Sequence, residues 1–578
     1  MSDLRPIALY YDDGAYREML KRAPTRPGQP KGLMGRQVAG KEFLDAYLEH
    51  GHWESLLAVT PSDAAAASLL ETCKTHPSSR TRQRKLRHVT EQRFHQDFLP
   101  SPPVSLIHFP TPPDPRFAWA RRAGSPHGFA LCGVTHTLCS HRAVEVLRGL
   151  IIDPWEPYDR LICTSRAVTN MVRQVMETFG TYLAERHGGQ PRSRISLETI
   201  PLGVNTERFR PATPAERQAE RQRLGLADDE IAVLFVGRLA HHAKAHPFPM
   251  FRGISEAAKA TAKKVRLSLV GWAANDSVLS AFRSAATEFG PHVRMDVLDG
   301  LDQKNRFGPW RAADVFCSLS DNIQETFGLV IVEAMASGLP VVATDWNGYR
   351  DLVIDGETGL LVPTHMVSGA STDVTSQLLF GSLDYDHFLA RSSQAVMVDT
   401  PAVATAFARL FRDRELRDRL GAAGRRRAVE EFAWQKIIQR YEAVWEEQQT
   451  LIAEWRERPS PDVGMRRPEA YPPLETTFAG YPTRWLDDST LLETAPDGAA
   501  LLSAVMNHPL TGYESDRRCT DAALLRRAMD AAAETCPLSK LVEVFLQDGV
   551  TERTARATLA WLLKYDMLRI APQFTQKP

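Results

Sequence analysis

At 578 residues the chain exceeds what one hydrophobic core can hold and divides into about three domains. Seventy Lys plus Arg balance seventy Asp plus Glu, which excludes a globally basic surface of the kind that grips duplex nucleic acid. Seven cysteines, at 73, 132, 139, 163, 317, 519 and 536, contain no C-x-x-C pair; this excludes a disulfide framework or cysteine metal knuckle and leaves reduced, mostly buried thiols.

The N-terminus, MSDLRPIALYYDDGAY, begins with an apolar strand and lacks the basic end and long apolar stretch of a signal peptide. No apolar run approaches the roughly 20 residues that span a bilayer. The expected location is therefore cytoplasmic, with at most peripheral membrane association. Runs rich in β-branched residues alternate with helical stretches at residues 7–11, 55–59, 104–109, 129–137, 160–165 and 195–201, the pattern of a parallel sheet covered on both faces. The polar, Pro-containing segment PLGVNTERFRPATPAER (201–217) reads as a linker, and a second series follows at 231–237, 265–271, 293–300, 314–320, 339–345 and 359–363. The fold class is thus α/β: two Rossmann-like domains, whose ligands bind at the carboxyl ends of the strands. A helical stretch covers about 401–430, and FAWQKIIQRYEAVWEEQQTLIAEW (432–455) places Ile437, Ile438, Tyr441 and Trp445 near one helix face. The expected boundaries are 1–207 for the first, acceptor-side domain and 208–455 for the second, which includes that crossing helix. A Pro-rich linker at 456–475 and a small helical domain at 476–578 follow.

Chemistry concentrates in the second series. VLFVGRLAHHAKAH places Arg238 and Lys244 beyond a Gly-terminated strand, and SDNIQETFGLVIVEAMASGLP joins the strand at 314–320 to a helix opening near residues 326–329. A helix start offers unpaired amides and partial positive charge, and Gly328 permits close approach of a ligand to the backbone. With two cations beside it, this is a diphosphate site. Glu325, just before the helix, and Glu333, two turns in, lie on either side of that position, where carboxylates accept hydrogen bonds from sugar hydroxyls. The layout is that of a sugar nucleotide.

The motif Glu-Thr-Phe-Gly-x4-Glu-Ala-Met-Ala-x-Gly-x-Pro-Val-Val, with Gly237-Arg238 and Lys244, resembles the donor half of the family 4 glycosyltransferases, which have the GT-B fold and act with retention. ETIPLGVNTERFRP (198–211), YDRLICTSRAV (158–168) and DGETGLLVP (355–363) extend the resemblance. It implies that Arg238 and Lys244 bind the donor diphosphate, that Phe327, Gly328 and Leu329 offer it backbone amides, that Glu333 holds the ribose and that Glu325 contacts the transferred sugar. KGLMGRQVAGKEFLDAYLEHG (31–51) resembles the glycine-rich first loop and helix over the donor phosphates, which makes Gly32, Gly35 and Arg36 candidates. GVTHTLCSH (133–141) places His136 at a strand end facing the cleft, as a catalytic or sugar-contacting candidate.

The implied reaction is metal-independent retaining transfer of a hexosyl group to an acceptor hydroxyl on a glycan, a lipid-linked glycan or a peptide, as in polysaccharide biosynthesis. It has no cofactor beyond the nucleotide-diphosphate sugar as co-substrate. No Asp-x-Asp sits at a strand end; Asp12-Asp13 and Asp487-Asp488 read as solvated turns, and His241, His242 and His246 lack an accompanying carboxylate or Cys. The alternative is a non-catalytic sugar-nucleotide-binding protein whose tail docks on a partner; a synthase or phosphorylase using a sugar phosphate is a third reading. Residues 537–572 read as helix, Gly-containing turn, helix and strand, resembling a winged helix. Residues 461–578 hold 13 Lys plus Arg against 16 Asp plus Glu, so a protein partner or homo-oligomer is expected there, and no nucleic acid.

Overall fold

The computed structural model describes residues 6–16, 35–53, 55–83, 85–99, 101–458, 469–470, 472–513 and 515–572. The chain falls into two compact units, Met1–Ala470 and Tyr471–Pro578.

The first unit contains two parallel sheets. Strands β1 (Ile7–Tyr10), β2 (Ser55–Thr60), β3 (Lys85–Thr90), β4 (Leu106–Phe109), β5 (Ala130–Val134), β6 (Arg160–Cys163) and β7 (Ser196–Thr199) form the first sheet, in the order β3-β2-β1-β4-β5-β6-β7. Strands β8 (Ile231–Val236), β9 (Val265–Gly271), β10 (Arg294–Asp299), β11 (Val315–Ser318), β12 (Val341–Thr344) and β13 (Gly359–Val362) form the second, in the order β10-β9-β8-β11-β12-β13. Both are doubly wound Rossmann-like orders that reverse direction once. The reversal opens a crevice at the strands' carboxyl ends, between β1 and β4 in one sheet and between β8 and β11 in the other. The twelve runs read from sequence are all strands. β3 is an addition, because KLRHVT at the sheet edge keeps half of its positions exposed and has no apolar run to announce it.

The long helix Trp434–Glu457 departs from the expected assignment to the second domain. Its buried Ile437, Ile438, Tyr441, Trp445 and Ile452 belong to the core built on Leu9, Leu106, Ala130 and Ile162 of the first sheet. An apolar helix stripe needs a sheet face to cover, and the chain returns to the first domain to find one. The segment KGLMGRQVAG is also corrected in part: the helix already begins at Gly35 and runs to His50, so Gly40 is a helical packing residue and not part of a loop. A Cβ at Gly40 would lie 2.1 Å from the carbonyl oxygen of Ala15, so only glycine allows the helix Asp13–Tyr16 to lie against it.

A feature not anticipated from sequence is an insert after β13. Antiparallel strands Thr364–Met366 and Val396–Val398 enclose the helices Val374–Leu379 and Tyr385–Gln394. Its Val374, Leu383, Phe388 and Leu389 share a small core with Ala240 and Ala243 of the loop between Arg238 and Lys244.

In the second unit, strands Leu491–Thr494, Cys536–Pro537 and Leu568–Ile570 form an antiparallel sheet, against which the helices Ala522–Ala531, Leu538–Gln547 and Glu552–Lys564 bury Leu525, Leu541, Phe545, Leu559 and Leu562. Gly549, with φ of 74°, makes the turn between the last two helices, and Thr551 caps the second of them. Among the described residues no helix is long and apolar enough to cross a membrane.

If the returning helix seals the first core, Trp445→Ala should lower the unfolding free energy of the first unit by about 3–5 kcal/mol, the range for removing a fully buried aromatic side chain. Urea unfolding followed by tryptophan fluorescence measures it.

Candidate functional site

A cavity of about 350 Å³ lies between the two sheets, at the carboxyl ends of their strands. The two strands flanking the reversal of the second sheet supply its main loops. Arg238 and Lys244 follow β8, and residues 319–328 follow β11.

The β11 loop ends at Gly328, which precedes the helix Leu329–Ala336 and has φ of 104°. A Cβ there would lie 2.4 Å from the Tyr349 ring. Left-handed backbone and the ring beneath it both demand glycine, a reason beyond the close ligand approach expected from sequence. The Ile331 amide donates to the Gly328 carbonyl at 2.9 Å, while Leu329 and Val330, whose amides precede the first helical hydrogen bond, line the cavity. Asn347 Nδ2 donates to the Glu325 carbonyl at 2.5 Å and Trp346 Nε1 to the Asn322 carbonyl at 3.0 Å, so the turn after β12 braces the loop from behind. The first domain braces it from the front: Ser165 Oγ donates to the Thr326 carbonyl at 2.8 Å while accepting from the Val168 amide that it caps.

Lys244 Nζ donates to Glu325 Oε2 at 2.5 Å. The other Glu325 oxygen accepts from the amides of Thr326 and Phe327 at 3.2 and 3.4 Å. Burial pushes the Glu325 carboxyl up, but Lys244 and the two amides outweigh it and hold the group below its ordinary range. Arg238 is different. Burial pushes its pKa down, and its Nη2 donates to the neutral carboxamide of Gln324 at 3.3 Å, with no carboxylate at ion-pair distance among the described residues.

Glu333 is buried on the helix Leu329–Ala336 and lines the cavity, and its carboxyl has no hydrogen-bond partner among the described residues. Its pKa is pushed up to about 8, first by burial and then by the Glu42 carboxylate, against the opposing pull of Arg306, Arg208 and Lys244. Glu42, on the helix Gly35–His50, accepts from Trp434 Nε1 at 3.2 Å and from Arg208 Nη1 at 3.5 Å.

The cavity brings together Gly35, His136, Arg238, Lys244, Glu325, Phe327, Gly328, Leu329 and Glu333. His136 Nε2 lies 2.7 Å from the Pro110 carbonyl, so that nitrogen carries a proton and donates it. The Phe327 side chain is buried in the core, so only its backbone faces the site. Gly32 lies outside the described residues, as does the side chain of Arg36. Sequence reading missed Glu42, Ser165, Arg208, Gln324 and Asn347. Only Asn347 had a local signal, the Asn-Gly pair after a strand, which marks a tight turn. Among the described residues no group of three or more His, Cys, Asp or Glu gathers as a metal cluster.

Residues 216–379 match the family model described as glycosyl transferases group 1. Among curated proteins the chain is similar to a D-inositol 3-phosphate glycosyltransferase of Nocardia farcinica, with 33% identity over 240 residues covering 41% of this chain and 50% of that protein. A protein of the same name from Geodermatophilus obscurus is 34% identical over 238 residues, covering 40% and 50%. The chain spans about half the length of these curated relatives. Among solved structures, the crystal structure of Anabaena HepE in complex with UDP aligns with 76% of this chain and 99% of its own at 17% identity, with a TM-score of 0.47.

The buried Glu333 sets a pH dependence. With a folded pKa of about 8 against an ordinary 4.5, its proton is held in both states at low pH. As pH rises toward about 8 the unfolded chain releases a proton that the fold retains, and stability is lost. Glu333→Gln should therefore unfold at a higher temperature than wild type at about pH 8.5, with the difference shrinking toward about pH 5, as read by calorimetry at several pH values.

Proposed function

We propose that this chain is a metal-independent, retaining glycosyltransferase that moves a sugar from a nucleotide-diphosphate sugar to an acceptor hydroxyl. The Arg238 guanidinium carries the reading. It is a permanent cation, half-buried and held by a neutral amide, in the interdomain cavity that the helix amino terminus lines. A half-buried cation with no carboxylate at ion-pair distance among the described residues suits a ligand that brings an anion.

A diphosphate there meets Arg238, Lys244 and the amides from Phe327 to Leu329, and competes with Glu325 for the Lys244 ammonium. The released Glu325 carboxylate then accepts from hydroxyls of the transferred sugar, while Glu333 ionises as it takes hydroxyl donors from the ribose. The acceptor oxygen bonds to the anomeric carbon on the face from which the carbon–oxygen bond to the diphosphate breaks, through an oxocarbenium-like state. The departing phosphate oxygen takes the acceptor proton, and His136 contacts the sugar or acceptor beside it. The two cations and the helix terminus stabilise the charge developing on the leaving group, the task a divalent cation would otherwise serve. The relatives' names speak of D-inositol 3-phosphate, but their likeness is to about half of each protein, and the acceptor hydroxyl here belongs to a glycan, a lipid-linked glycan, a peptide or a small molecule. In the second unit, Arg556 pairs with Asp488 and Glu552 and residues 461–578 carry more acidic than basic side chains, which supports a role without nucleic acid.

A thermal-shift screen of UDP, GDP and ADP sugars should raise the unfolding midpoint with one base, since a ligand binding only the native state stabilises it. With that donor, Lys244→Ala and Glu325→Ala should each lower kcat/KM by about 10²–10³-fold, the cost of removing a group that stabilises transition-state charge. A chelator should leave the wild-type rate unchanged. Full turnover by either variant overturns the reading.

A further inference from the structure

The insert after β13 reaches the phosphate-binding side of the cleft through Tyr385, the first residue of its second helix. Gln324 Nε2 donates to the Tyr385 hydroxyl at 2.9 Å, and that hydroxyl lies 3.1 Å from Cys139 Sγ of the first domain. The direction of this chain follows from its end. Arg238 can only donate, so Gln324 must present its carbonyl oxygen to Arg238 and its amino group to Tyr385; Tyr385 then accepts from Gln324, and its proton is left for Cys139, a contact in which either group can donate. Four side chains from two domains and the insert thus share one orientation, and each fixes the next. Tyr385 itself does not line the cavity, whereas Arg238 and Gln324 do.

We propose that Tyr385 is a positioning residue: it locks the Gln324 amide so that a neutral oxygen, and no anion, holds the Arg238 guanidinium toward the donor diphosphate, and it ties that setting to the first domain through Cys139. The inference rests on the reading of Arg238 as a diphosphate ligand. Without the hydroxyl, the carboxamide loses its reason to keep the oxygen facing Arg238, and the guanidinium is free to take other rotamers. The insert therefore contributes to donor affinity, although the motifs that mark the donor site all lie outside it.

The test is calorimetric titration of the full chain with whichever of UDP, GDP and ADP binds the wild type. Tyr385→Phe, which keeps the ring and its packing, should weaken that binding about three- to tenfold, the worth of one net hydrogen bond. Gln324→Ala should weaken it at least as much, and Tyr385→Phe added to Gln324→Ala should cost less than about twofold more, because both act through one chain. Gln324→Glu, which gives Arg238 a carboxylate partner, should lose more than Gln324→Ala. Wild-type affinity in Tyr385→Phe or Gln324→Glu, or additive losses in the double variant, overturns the proposal while leaving diphosphate binding intact. If none of the three nucleotides binds the wild type, the donor reading falls, and this inference with it.

Discussion

A carboxylate and an ammonium meeting at 2.5 Å beyond the second sheet are the interaction on which the cleft depends. Glu325 closes on Lys244 with one oxygen and on two amides of its own loop with the other, so a single side chain fixes both the cation and the entry to the helix at Gly328. A half-buried ion pair gains little net stability once desolvation and screening are counted, and its value here is positional. It holds an ammonium at the cavity wall, near Arg238, whose hydrogen bond among the described residues goes to the neutral Gln324 carboxamide. The two cations differ in partner: one meets a carboxylate, and the other a carboxamide.

The sheets determine where that contrast can exist. Reversal of strand order between β8 and β11 separates the two loops that leave their carboxyl ends, and the loops close on each other around the cavity. The first domain completes the wall through Ser165 on the Thr326 carbonyl and through Glu42 opposite Glu333. The connections between domains are held from behind. Arg425 donates to the carbonyls of Thr206, Phe209 and Ala336, tying the interdomain linker to the helix Leu329–Ala336, and Val204 pairs with Ala433 just before the chain returns to the first core. A rigid back and loops braced on both sides suit a site whose electrostatics must be organised before a ligand arrives.

Much of this was legible in the residues. The apolar runs of both sheets are continuous because both faces of a parallel sheet are buried, so they stand out without knowledge of the fold. Glu325, Gly328 and Glu333 announce themselves through spacing, since a helix start, a left-handed glycine and a carboxylate two turns on are local geometry. The illegible parts share a physical feature. β3 is a polar edge strand, and Gly40 makes sense only once Ala15 is placed against it. Glu42 raises the pKa of a residue almost three hundred positions away, and Tyr385 sits in a segment with no motif.

The sequence by itself determined the two α/β halves, the loop that ends at Gly328 and the pairing of acidic residues around a helix terminus, because hydrophobic period, backbone handedness and short-range spacing are properties of neighbouring residues. Tertiary structure alone decided which core the helix Trp434–Glu457 would seal, which cation would be neutralised, and that Gln324, Tyr385 and Cys139 would form one oriented chain. Burial and charge act through distance in space, and for these groups only the crossovers, the insert and the returning helix bring that distance to a few ångströms.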